Sequence, residues 1–179
     1  MIYVMLADGF EITEALTTVD VLRRANLEVK TVGVYGEYVT SSCNIQVKSD
    51  ISPSDVVLEK ADAVILPGGM PGTLNLEKSG FVQNAVDYCV ENDKYLCAIC
   101  AAPSILGHKN ILNGKNATCY PGFEVNSDKV NYTGEWAVAD GKIITGKGAG
   151  STIRFALLIV ENLLSKEIAD EVKGSMQCP

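Results

Sequence analysis

The sequence predicts an α/β fold, a mostly parallel sheet with helices on both faces, built as one domain over residues 1–179. Three observations carry this reading. Apolar runs of strand length alternate with stretches of helical period along the chain, the pattern of βαβ units. The clearest of those runs is apolar at consecutive positions, as a strand buried on both faces requires. Several runs end in loops of glycine or small residues, and an open α/β sheet binds ligands outside the carboxyl ends of its strands. With 47% hydrophobic and 21% charged residues in 179 positions, there is enough apolar material for a substantial core.

The elements follow in order. "IYVML" (2–6) is the first buried strand. After Gly9, Ile12, Ala15, Leu16, Val19 and Leu22 recur at spacings of three and four, so residues 11–25 read as an amphipathic helix. "LEVKTVGVY" (27–35) alternates like a strand, and the segment from Gly36 to "IQVKS" reads as a hairpin excursion. A second clear strand begins at Ala61 and stops at Pro67-Gly68-Gly69, a turn signal. Phe81, Val82, Ala85, Tyr88 and Cys89 mark a helical face, and "YLCAIC" (95–100) is the next buried strand. "AAPSIL" then opens a helix, with Pro103 in the first turn, where a missing N–H costs nothing. Asp140-Gly141 sits between two alternating runs, a hairpin signal. A long helix follows, with Ile153, Ala156, Leu157, Val160 and Leu164 on one side, and Ser165 caps a last short helix. The loops leaving the strand ends are 7–11, 67–72 and 100–104, with 146–152 as a fourth candidate whose simplest role is a helix N-cap.

Charge narrows the partners. There are 22 acidic and 15 basic side chains, net −7, with no Lys/Arg run to follow a phosphate backbone, so nucleic acid is not expected. The start has no basic n-region, and no stretch approaches the ~20 apolar residues that span a bilayer. The expectation is a cytoplasmic protein, free of membrane, whose six cysteines are mostly reduced thiols.

"CAICAAPS" (97–104) places two cysteines three apart. A redox pair opens a helix, whereas Cys97 lies inside a strand pattern, where residues three apart face opposite sides. No second Cys or His pair has zinc-ligand spacing. Cys97 therefore reads as core. Cys100 falls at the turn from strand to helix, where a helix N-terminus favours thiolate; the pattern alone leaves a reactive and an inert thiol both open. His108, the one histidine, lies ~12 Å further along the same helix and is poorly placed as a base. The alternatives are carboxyl groups of the first loop and helix: Glu11, Glu14 and Asp8. Glu14 stands among the apolar positions of its helix, which asks for a buried polar partner. Gly68-Gly69 lets backbone N–H groups point at developing negative charge.

Taken together, "LADGFEITEALTTVDVLRRA", "VILPGG", "AICAAPSIL" and "GKGAGSTIRFALLIVE" resemble the ThiJ/PfpI superfamily, in the branch of the parkinsonism-associated protein deglycase and its bacterial relatives. The resemblance covers almost the whole chain. It implies a flavodoxin-like three-layer sandwich with a nucleophile-elbow cysteine, a homodimer, and no cofactor or metal. By the family pattern Cys100 is the nucleophilic, oxidation-prone cysteine, Glu14 the protonated glutamate bonded to its sulfur, and Gly69 and Ala101 the backbone donors beside it. Glu11 and Tyr120 are further pocket candidates. Two positions depart. Ala101 stands where the protease-like branch has histidine, which argues against peptidase activity, and Tyr120 stands where the human-like branch has another. The expected function is a glyoxalase- or deglycase-type enzyme acting on small reactive carbonyl compounds, 2-oxoaldehydes or their adducts, in stress protection. The alternative is a redox-sensing stress-response or chaperone-like protein whose Cys100 is oxidised with little turnover.

Overall fold

The computed structural model describes residues 1–178. Strand β1 (Ile2–Leu6), buried throughout, leads through a tight loop into a π-helical turn, Thr13–Thr17, that continues as α1 (Thr18–Arg24). β2 (Val29–Gly33) follows, then β3 (Tyr38–Thr40) and β4 (Gln46–Lys48), an antiparallel hairpin outside the main sheet. β5 (Ala63–Leu66) gives way to α2 (Gly72–Lys78) and α3 (Gly80–Glu91). β6 (Tyr95–Ile99) precedes α4 (Pro103–His108), and β7 (Asn116–Ala117) pairs with β8 (Asn131–Tyr132). β9 (Ala137–Asp140) and β10 (Ile143–Gly146) form the hairpin expected around Asp140-Gly141. α5 (Thr152–Leu163) and α6 (Lys166–Ser175) complete the described chain, with the Ser165 hydroxyl accepting from Ile168 N–H.

The main sheet runs β2-β1-β5-β6-β10-β9, parallel except for β9 at one edge. From β1 the chain moves outward to β2 and then back across to β5, β6 and β10. This is the flavodoxin-like order, and its reversal leaves a crevice at the carboxyl ends of β1 and β5. Strand alternation divides the interior into two cores. Val4, Leu6, Ile65, Cys97 and Ile99 pack against Leu22, Phe155, Ile159 and Val160 of α1 and α5. Met5, Val64, Leu66, Leu96 and Ala98 pack against Leu76, Val86, Ile105 and Leu106 of α2, α3 and α4. Each large side chain so buried stabilises the fold by ~1.5–3 kcal/mol relative to exposure. Cys97 sits in register between Ile65 and Ile144 with no exposed surface, a core residue in the middle of the sheet.

Three local expectations are corrected, and one helix is added. Residues 11–25 are not one regular helix, because the π turn adds a residue to its first part and shifts the faces on its two sides by roughly 100°. Residues 72–78, for which the sequence predicts no element, form α2, whose apolar content is too sparse for a periodic signal. The buried side of α5 is centred on Phe155 and Ile159, whereas Ile153 and Leu164 are exposed. The segment 146–152 supplies no side-chain cap to α5: Ser151 stands at the N-cap position, but its hydroxyl turns back to accept from Gly148 N–H at 3.1 Å. Among the described residues no helix is long and apolar enough to cross a membrane.

Candidate active site

Cys100 follows β6 directly, at the centre of the sheet's carboxyl edge, and its backbone is left-handed (φ 65°). A non-glycine residue in that region costs on the order of 1–3 kcal/mol. Flanking hydrogen bonds hold it there: Cys100 N–H donates to Gly146 O at 2.9 Å, and Tyr120 N–H donates to Cys100 O at 2.8 Å. The buried alanines 101 and 102 let the chain turn into α4 within this space. The result is a sharp strand-to-helix elbow with a half-buried thiol at its tip.

Glu14 approaches from the π turn. Its side chain is 1% exposed, an uncommon position for a carboxyl. Oε2 accepts from Gly68 N–H at 2.8 Å, while Oε1 is buried without a hydrogen-bond partner of good geometry. The Cys100 thiol lies against this carboxyl, and the N–H groups of Gly69 and Ala101 face the Cys100 sulfur. Burial dominates the protonation of Glu14 and raises it to about 7; the bonds from Cys100 and Gly68 oppose the rise, and the charge of Glu11 adds to it. Burial, followed by the charge and hydrogen bond of Glu14, pushes Cys100 up to about 12 against the pull of the two N–H groups. The N-terminus of the short α4 favours a thiolate, while burial and the neighbouring Glu14 act against it. The two groups titrate as one unit. One proton leaves near neutrality, and the second must leave a site that already carries a negative charge. With that single proton the unit has two forms, carboxylate with thiol or carboxylic acid with thiolate.

Gly68 fixes the approach. A Cβ there would stand 2.7 Å from both Cys100 Cβ and Glu14 Oε2 and 2.9 Å from Ile99 O. Cys100 Cβ and Ile99 O are fixed by the backbone, and Glu14 Oε2, although the end of a side chain, is buried and bonded to Gly68 N–H. We expect Gly68→Ala to cost ~1–3 kcal/mol in denaturant unfolding and to separate Cys100 from Glu14. A variant with unchanged stability and activity would show that the contact is slack.

The other candidates are placed unequally. Glu11 lies at the rim, where Oε2 accepts from Ser42 Oγ at 3.0 Å and its N–H donates to Gly68 O at 2.9 Å. Asp8 is taken up in accepting from Thr40 N–H at 2.7 Å. His108 is paired with Glu77 at 2.5 Å on the α2–α4 side. Tyr120 is half-exposed and borders a cleft of about 250 Å³ beside Cys100, together with Trp136, Lys147 and Gly148. A larger cavity, about 720 Å³ between β2 and the β3–β4 hairpin, contains none of these groups, so size alone does not locate the chemistry. Sequence reasoning missed Gly68 as the donor to Glu14, and it missed Trp136 and Lys147. The pairing of a buried glutamate with a double glycine was the available signal for Gly68; the aromatic wall left none.

The sequence pattern that defines the DJ-1/PfpI family matches residues 1–162. The chain belongs to the DJ-1/PfpI family. It is 36% identical to the Drosophila melanogaster protein dj-1beta over 172 residues, covering 94% of this chain and 92% of that one. The crystal structure of Drosophila melanogaster DJ-1beta superposes with a TM-score of 0.94 at 34% identity, covering 99% of this chain and 97% of the other. A Caenorhabditis elegans relative named glutathione-independent glyoxalase DJR-1.2 is 30% identical over 156 residues, 86% of this chain and 83% of its own. DJ-1/PfpI membership thus agrees with the ThiJ/PfpI resemblance and with the three-layer sheet order.

Proposed function

We propose that this chain is a cysteine-dependent enzyme of the glyoxalase or deglycase type, acting on 2-oxoaldehydes or their early adducts. The observation that carries the reading is a buried carboxyl, raised to about 7, lying against the thiol of a strained elbow. Proton transfer between Glu14 and Cys100 generates a thiolate without placing a second charge in the site. The thiolate adds to the aldehyde carbon and forms a hemithioacetal whose oxygen takes a proton. Moving the carbon-bound proton to the neighbouring carbon through an enediol gives a thioester, with Glu14 as relay. Water then releases the 2-hydroxy acid and restores the thiol. The sum is one 2-oxoaldehyde and one water in, one hydroxy acid out. The relative named as a glyoxalase supports this reaction class.

Incubation of the intact protein with methylglyoxal in the absence of glutathione, followed by proton NMR, should show catalytic formation of lactate. Absence of lactate over many equivalents of substrate would overturn the proposal. A second reading rests on the N–H groups that face the sulfur: they also suit the oxygens of a sulfenic or sulfinic acid. Mass spectrometry after mild peroxide separates the two, since a redox sensor modifies Cys100 first and turns over little.

A further inference from the structure

At the opposite end of the sheet, where β6 and β10 begin, a cavity of about 510 Å³ opens between the end of α3 and the β9–β10 turn. Cys89, Ile111 and Ile143 give it an apolar floor, and Lys94, Lys115 and Lys142 stand around it. Burial pushes the Cys89 thiol up to about 12, so the floor stays neutral. Asp93 is the one carboxylate in the lining. Asp140 stands outside it, 3.6 Å from Lys115 Nζ, and is already engaged by Asn116 N–H at 2.9 Å.

A chain of net charge −7 thus gathers three cations around one hollow. The lysines are not needed to cap α3. Tyr88 O already accepts from Asn92 N–H at 3.0 Å and from its side-chain amide at 2.9 Å, and Cys89 O accepts from Lys94 N–H at 2.9 Å. Two of the ammonium groups are held in place rather than trailing into solvent. Lys142 Nζ sits 4.1 Å from the centroid of the Tyr95 ring, and the Lys115 side chain is tethered to Asp140. Three lysines stand around the hollow against two carboxylates, Asp93 in the lining and Asp140 beside Lys115, which leaves an excess of positive charge for an anion.

We propose that this cavity binds a phosphate monoester with an apolar body. Lysines act as compact point charges suited to a phosphate, whereas no arginine fork lines the hollow to select a planar carboxylate. The floor of Cys89, Ile111 and Ile143 accepts the apolar part, and the volume lies in the range of small-ligand pockets. The proposal is independent of the chemistry at Cys100, which lies beyond the other ends of the same strands.

Phenyl phosphate is the probe, titrated into the intact nitrogen-labelled protein at ~20 mM salt, where surface charges are little screened. The expected result is saturable amide shifts at residues 93–95, 115 and 141–143, with dissociation constants below ~10 mM. Inorganic phosphate should bind more weakly, and benzyl alcohol should leave these amides unmoved. The Lys94→Gln/Lys142→Gln variant should weaken phenyl phosphate by about tenfold or more, and Cys100→Ser should leave it unchanged. The same spectra report whether the double variant is folded; if it is not, Lys94→Gln alone is read, with a smaller loss expected. Shifts centred elsewhere, failure to saturate, or equal affinity in the folded lysine variants would overturn the proposal.

Discussion

Replacing Cys100 by serine is expected to lower kcat/KM for methylglyoxal by ~10³-fold or more, equivalent to ~4 kcal/mol of transition-state stabilisation. Serine keeps the volume and the elbow but not the acidity. A hydroxyl beside Glu14 cannot form the anion that a thiol shares with it. The backbone bonds that hold the left-handed turn, to Gly146 O and from Tyr120 N–H, do not involve the side chain. The melting temperature should therefore move by only a few degrees. Turnover and thermal unfolding measured on one preparation decide the matter. Full turnover in a folded Cys100→Ser protein would mean that another group attacks the substrate.

Glu14 should show the second large effect, on two independent readouts. Its carboxyl ionises near 4.5 in the unfolded chain and near 7 in the native one. Between those values the unfolded state has lost a proton that the native state keeps, so stability falls as pH rises. The loss is ~3 kcal/mol across the window, complete above pH 7 and absent below 4.5. Glu14→Gln keeps the acceptor for Gly68 N–H and has nothing to titrate. Urea unfolding from pH 4.5 to 7.5 should thus be steeper in the parent than in the variant; parallel curves would mean that Glu14 is ionised in the fold. On activity, the acid limb of kcat/KM should lie near pH 7 in the parent, where the pair loses its first proton. Glu14→Leu removes the relay and should cost ~10²–10⁴-fold.

Much of this architecture is legible in the sequence because it rests on burial. The apolar runs at 2–6, 63–66 and 95–99 form adjacent strands, and Cys97 is assigned to the core by strand geometry alone. Glu14 stands out for the same reason, as a charge in an apolar face. The π turn is invisible to a 3.6-residue period, because that period assumes the regular helix that the turn interrupts. The side of α5 is misjudged where Ile153 and Leu164 are apolar yet exposed, since hydropathy does not say which of two apolar stripes meets the sheet. A helix N-terminus and a buried acid pull the thiol in opposite directions, and only their relative distances and burial decide between them.

The elbow at Cys100 is held by partners drawn from distant parts of the chain. Glu14 lies far upstream, and Gly146 and Tyr120 lie downstream. During synthesis Cys100 leaves the ribosome before the acceptor that will fix its backbone has been translated. Until then the bond from Cys100 N–H to Gly146 O cannot form, and the left-handed turn lacks one of its two flanking bonds. The rate at which its thiol is trapped by an alkylating reagent on stalled nascent chains is therefore a clock for completion of the fold, changing only once residue 146 has cleared the exit tunnel.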